Sequence, residues 1–267
     1  MEGELSKMNE FPGLVDSHFH ILSLLEKGLD PAACLNEFFD AGGRWALDVS
    51  VSPEGWERRL AYGGVEPRLG FTSGIHPAEA NTATVADLAA VALQLEHPRC
   101  WAVGEIGLDW FRGRDHEAAQ RTLFRDQLTL AASRGLPVVI HNRQADRELL
   151  EDLDFVGWRG RGVQHCFSSD LVFARAALDR GFFLSFAGNL TYPSARVLRE
   201  VAAWAPEDRI LVETDAPYLA PQPVRGHPNR PRNAGLTARV LAEVRGVPLE
   251  DLLGITGDNA RRLFGWE

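Results

Sequence analysis

Eight short apolar runs with the character of buried strands alternate along this chain with segments of helical patterning. The runs cover residues 14–16, 44–51, 68–75, 100–108, 136–141, 161–166, 182–186 and 210–213. Five of them run out into histidine or acidic residues: Asp16-Ser17-His18-Phe19-His20, Glu105, His141, His165 and Asp215. Strand–helix alternation repeated eight times is the pattern of an α/β fold closed into a single (β/α)8 barrel, in which functional side chains emerge at the C-terminal ends of the strands. A doubly wound open sheet is the rival. Its first strand would be followed by a glycine-rich phosphate fingerprint, whereas here Asp-Ser-His-Phe-His follows.

The segments between the runs support the alternation. Residues 115–134 carry Ala119, Leu123, Phe124, Leu128 and Leu130 close to helical spacing, and Gly135 follows as a cap. Residues 84–95 and 170–180 behave alike. Two further helices are expected over 231–245 and 249–264, separated by Gly246-Val247-Pro248. No linker or repeat divides the chain, so residues 11–267 read as one barrel preceded by a flexible tail over 1–10.

Composition narrows the function classes. Hydrophobic residues make up 45% of the 267, enough for a large core, yet no run of about 18 apolar residues exists to span a membrane. The first ten residues are polar and do not read as a secretory signal. Three widely spaced cysteines, Cys34, Cys100 and Cys166, argue against a disulfide framework and for a cytoplasmic protein. A net charge of −9 argues against a coating protein for nucleic acid, although bound cations would still allow a nucleic-acid substrate.

The chemistry lies in the strand ends. His18 and His20 fall on one side of an extended segment, the placement of two ligands for one ion. Glu105 sits inside Val103-Gly104-Glu105-Ile106-Gly107-Leu108-Asp109, where an unpaired carboxylate would be costly. It reads either as a salt bridge to a buried arginine or, preferably, as a carboxylate bridging two metals. His141 and His165 end consecutive strands and are read together as ligands. Asp215 closes the set as a ligand and proton acceptor, with Glu213 a deeper support. Imidazole and carboxylate donors without thiolate suit two divalent ions among Mg, Mn and Zn. Cys166 is expected to point outward while His165 faces in, because neighbouring strand residues alternate. Around the mouth, Arg112, Arg143, Arg225 and Arg230 are candidate phosphate contacts, and His76 and His227 candidate substrate contacts. Trp110, Phe111 and Tyr218 are candidates for stacking a base or for packing in the core.

Several of these stretches together resemble the TatD family of metal-dependent DNases. They are Asp16-Ser17-His18-Phe19-His20, Gly74-Ile75-His76-Pro77, Gly104-Glu105-Ile106-Gly107-Leu108-Asp109, His165-Cys166-Phe167-Ser168 and Glu213-Thr214-Asp215-Ala216-Pro217-Tyr218-Leu219, with Arg225-Gly226, Asn229 and Pro231 resembling the family's last loop. The resemblance spans nearly the whole chain. It implies an amidohydrolase-like barrel with metal ligands at His18, His20, Glu105, His141, His165 and Asp215. The chain departs from the family at Ala78-Glu79, Ser168-Ser169 and Arg230, all where substrate would be gripped. The expected activity is phosphodiester hydrolysis on single-stranded DNA ends by a monomer. The alternatives are an amide, lactone or aminoacyl-ester hydrolase on the same barrel, or a binding protein without catalysis.

Overall fold

The computed structural model describes residues 10–64, 66–111 and 113–266. Its eight strands are β1 (Val15–Phe19), β2 (Trp45–Asp48), β3 (Leu69–Ser73), β4 (Cys100–Asp109), β5 (Val138–Arg143), β6 (Gly162–Gln164), β7 (Phe182–Phe186) and β8 (Ile210–Val212). All neighbours pair in parallel, in sequence order from β1 to β8. Ten helices connect and cover them: α1 (Ile21–Glu26), α2 (Pro31–Asp40), α3 (Trp56–Gly63), α4 (Val85–Gln94), α5 (Glu117–Arg134), α6 (Asp146–Phe155), α7 (Leu171–Asp179), α8 (Arg196–Trp204), α9 (Ala234–Arg245) and α10 (Leu249–Phe264). This is the (β/α)8 barrel that the alternation predicts. None of the described helices is long and apolar enough to cross a membrane, and the three thiols are free. Of the tail expected over 1–10, only Glu10 falls within the described residues.

The seam between β8 and β1 closes through side chains as well as backbone. The Asp215 amide donates to the His18 carbonyl at 2.8 Å, and the His20 amide to the Ala216 carbonyl at 2.9 Å. Asp16, fully buried, accepts the Thr214 amide at 2.9 Å and the Thr214 hydroxyl at 2.6 Å. Asp16 therefore leaves the ligand-type series read from the sequence and serves as a staple across the seam.

The barrel interior is layered. Val15, Leu47, Ala102, Val139, Val163, Phe183 and Leu211 fill its lower part, and Leu263, Phe264 and Trp266 plug it from below. Trp45, Trp101 and Trp266 form an aromatic floor, with the Trp101 and Trp266 ring centroids 5.2 Å apart. Gly70 keeps room for it, since a Cβ there would stand 1.9 Å from the Trp101 ring. Outside the barrel the second face of six of the strands packs on the helices through Phe19, Phe71, Ile106, Ile140, Leu184 and Val212.

Helix termini follow local chemistry. Thr84 and Asp87 form a reciprocal capping box at the start of α4, and Asp170 accepts two amides at the start of α7. The stretch expected as one helix over 231–245 is a 3-10 turn at Pro231–Asn233 followed by α9. Several strands end earlier than the apolar runs do. The sixth run stops pairing at Gln164, and the second at Asp48, because the residues beyond turn into the mouth instead of continuing the ladder. The first strand runs longer than expected: a bulge between Asp16 and Phe19 keeps His18 within it.

Because the aromatic floor lies at the opposite end from the histidines, stability and function separate along the barrel axis. Replacing Trp266 with alanine is expected to cost about 3–5 kcal/mol of unfolding free energy while leaving metal uptake by the folded protein intact. Denaturant unfolding and elemental analysis of the variant check both halves.

Candidate metal centre

At the C-terminal mouth the ligand-type residues converge. Three overlapping groups have ligand atoms lying within 4.8 Å of one another: His18, His20 and Asp215; His18, Glu105 and His165; and His76, Glu105 and His141. All six ligands expected from the sequence are brought together, and His76 joins them.

Glu105 stands at the centre, and its two oxygens face different partners. Oε2 lies 3.5 Å from His18 Nε2 and 3.9 Å from His20 Nε2. Oε1 lies 2.7 Å from His141 Nδ1 and 2.8 Å from His165 Nε2. On the first side Asp215 Oδ1 approaches His20 Nε2 to 3.3 Å and His18 Nε2 to 3.8 Å. Among the described residues Glu105 pairs with histidines and with no arginine, which favours the bridging reading over a salt bridge.

Local backbone makes this approach possible. At Gly107 φ is 145°, and a Cβ there would stand 1.9 Å from the His141 carbonyl oxygen. Only glycine lets β4 and β5 run this close beside the site. Asp215 takes φ 57°, a left-handed conformation that aspartate tolerates better than most side chains.

The donor chemistry fits divalent cations. His18 Nε2 and His20 Nε2 face each other at 3.2 Å; two nitrogens at 2.0–2.1 Å from one tetrahedral ion are about 3.3 Å apart. The far nitrogens of three histidines are tied to acceptors. His20 Nδ1 donates to the Val49 carbonyl at 2.9 Å, His165 Nδ1 to Glu213 Oε1 at 3.2 Å, and His141 Nε2 to Asp109 Oδ2 at 3.1 Å. Each bond places the proton away from the cluster and leaves the inward nitrogen with a lone pair when the ring is neutral, the arrangement metal-ligating histidines use. His18 lacks such a tie; its Nδ1 has no partner among the described residues, and its ring stacks on His165 with centroids 3.9 Å apart.

Electrostatics support the same reading. Burial opposes ionisation of Glu105, but His165, His76 and His141 outweigh it and hold the carboxyl well below its usual range. Asp215 is likewise held down, by His20 and His18 against burial. Burial pulls His20 down, yet the Asp215 hydrogen bond and charge, with Glu105, raise it to about 9. His165 is raised by Glu105 and Glu213 against the same burial penalty. Protons thus occupy nitrogens that a cation would otherwise use.

The structure moves several sequence expectations. Cys166 does not point out to the helices: past the end of β6 it adopts φ 43°, so strand alternation no longer applies. Its amide donates to Glu213 Oε1 at 2.7 Å, and burial beside Asp215, Glu213 and Glu105 pushes its thiol well above the usual range, unsuited to a nucleophile. Arg230 is withdrawn from the mouth by an ion pair with Glu37 of α2 at 2.7 Å. Trp110 is core, its indole nitrogen 3.4 Å from Glu148. Arg112 lies outside the described residues. Arg143 stays at the mouth, its guanidinium 3.6 Å over the Phe111 ring, and Arg225 lies 4.3 Å over Tyr192. His227 is exposed in the last loop. That loop is pinned by buried Asn229, which donates to the Thr214 carbonyl at 3.0 Å.

His76 has a distinct character. Its Nδ1 accepts the Ala78 amide at 3.0 Å, which leaves the proton on Nε2, 3.7 Å from Glu105 Oε1. Burial, reinforced by His141 and His165 against the pull of Glu105, pushes it down to about 3 and keeps it neutral. A neutral ring with its proton turned inward suits donation to a bound oxygen better than ligation.

Sequence reasoning missed Asp109 as a partner of His141. Its signal was available, because it lies four residues after Glu105 at the very end of β4.

Comparison with known proteins gives the family. The family model described as TatD related DNase matches residues 15–265. The chain belongs to the TatD family. It is 38% identical over 261 residues to an uncharacterized metal-dependent hydrolase TatD from Mycobacterium tuberculosis, covering 94% of this chain and 98% of that one. It is 35% identical over 258 residues to the uncharacterized metal-dependent hydrolase YcfH of Escherichia coli, covering 94% and 95%. Among solved structures, YjjV, a TatD homologue from Escherichia coli, superposes with a TM-score of 0.87 at 30% identity, covering 96% of this chain and all of that one. The protein is a metal-dependent hydrolase of this family.

Since His20 and His165 hold protons where an ion would sit, metal uptake near neutral pH should release protons and tighten as pH rises toward about 9. Calorimetric titration of the apoprotein with Mn in two buffers of different ionisation enthalpy reads the proton count. Uptake without proton release would contradict the assignment of these rings.

Proposed function

We propose that the centre hydrolyses phosphodiester bonds in DNA, working from single-strand ends, in a cytoplasmic monomer. The observation that carries the reading is the Glu105 carboxylate, with one oxygen toward His18 and His20 and the other toward His141 and His165. Such a carboxylate suits a two-ion centre, with His18, His20 and Asp215 on one side and His141 and His165 on the other. Bound divalent ions of the Mg, Mn or Zn type would polarise the phosphate and acidify an attacking water.

The chain's own residues supply the rest. Asp215 is the more open of the two central carboxylates, its side chain 14% exposed against 4% for Glu105. It is therefore placed to take the proton of the attacking water. His76 donates from Nε2 to a phosphate oxygen. Arg143 and Arg225, neither with a carboxylate in ion-pair reach among the described residues, bind the remaining oxygens. A carbonyl-directed hydrolase would leave these two cations without a role, which favours phosphate over amide, lactone or aminoacyl ester. With a net charge of −9 the grip on a strand stays short and local, and affinity falls only shallowly with salt.

Turnover should disappear on chelation and return with added metal. Linear single-stranded DNA should be degraded much faster than the covalently closed circle under the same conditions. Equal rates on both forms would replace end-directed action with internal cleavage. Turnover of lactones, amides or aminoacyl esters without any of DNA would replace the reading altogether. Glu105→Ala should lose metal and activity together, whereas Cys166→Ala should keep its metal; normal metal content in Glu105→Ala would remove the bridging role.

A further inference from the structure

Two aromatic rings stand exposed beside the centre, one on each side of Glu105. Tyr218 is 45% exposed and Phe111 54%. Most other large exposed apolar side chains lie on the outer helices, among them Val85, Leu93, Phe155, Val172 and Trp204. Tyr218 borders the side defined by His20, with ring centroids 6.1 Å apart. Phe111 borders the side defined by His141, because the Asp109 carboxylate that meets His141 Nε2 also accepts the Phe111 amide at 2.8 Å.

Both rings are anchored to the metal-binding loops themselves. The Tyr218 amide donates to the Asp215 carbonyl at 2.8 Å, and its hydroxyl reaches Ser23 Oγ at 3.4 Å. Phe111 carries the Arg143 guanidinium against its ring, so a cation and a flat apolar surface are presented together. A large ring about half exposed to water and held by a backbone bond to a ligand residue or to the partner of one has the form of a stacking platform.

We propose that these rings are two base-stacking platforms flanking the scissile phosphate. The preferred substrate then carries a nucleoside on both sides of phosphorus, with Arg143 held between the Phe111 platform and the scissile phosphate it binds. The inference rests on the phosphodiesterase reading above. It adds a requirement which that reading does not contain, since hydrolysis at the ions alone needs only one phosphate diester.

The test uses the metal-loaded enzyme and three small diesters. One is the dinucleotide thymidylyl-thymidine; the other two are thymidine methyl phosphates that keep the nucleoside on only one side of phosphorus or the other. The dinucleotide should be preferred over each methyl ester by about tenfold in kcat/KM, within the range of base–aromatic stacking. Phe111→Ala should abolish one of these preferences and Tyr218→Ala the other. Both substitutions are at exposed rings, and metal content verifies that each variant keeps its centre. Absence of preference in the parent protein, loss of the same preference in both variants, or loss in neither would overturn the two platforms while leaving phosphodiester hydrolysis in place. No turnover of any of the three diesters would overturn both readings.

Discussion

Everything at the mouth of this barrel depends on a buried carboxylate with two oxygens facing two sets of imidazoles. Burial of Glu105 is tolerable only because His165, His76 and His141 surround it with positive or hydrogen-bonding partners. In turn Asp215 and Glu105 raise the proton affinity of His20, and Glu105 and Glu213 that of His165, so the cluster attracts cations of one kind or another. In the apoprotein those cations are protons. A pair of divalent ions satisfies the same field with better geometry, because the outer nitrogens of His20, His141 and His165 are already committed to Val49, Asp109 and Glu213. The tautomers are set before any ion arrives, which reduces the reorganisation that binding requires.

The barrel supplies this arrangement by dividing its labour along its axis. The lower interior is apolar and ends in a floor of Trp45, Trp101 and Trp266. The seam between β8 and β1 is held by Asp16 on Thr214 and by amide bonds that involve the ligand residues themselves. Closing the barrel and placing His18, His20 and Asp215 are thus one structural event. The loop carrying Arg225 is fixed to the same point through Asn229.

Much of this was legible in the sequence, for a physical reason. Parallel strands buried on both faces must read as short apolar runs, and polar residues at their ends stand out against them. That contrast revealed His18, His20, Glu105, His141, His165 and Asp215, and with them the fold. What was not legible depended on geometry beyond the strand. Alternation could not place Cys166, because the backbone leaves the strand just before it. The fate of Arg230 was decided by Glu37, far away in sequence. Trp110 and Phe111 look equivalent as neighbours, yet one is buried against Glu148 and the other is exposed under Arg143. Asp16 and Asp109 share the ligand residue type, but one staples the seam and the other orients His141.

The central claim is that Glu105 spans two ions. Anomalous diffraction from crystals of this protein loaded with Mn tests it most directly. The account predicts two peaks about 3.5–4 Å apart, one beside His18 and His20 and the other beside His141 and His165, with a Glu105 oxygen on each. A single fully occupied peak, or two peaks with Glu105 bound to only one, would contradict it.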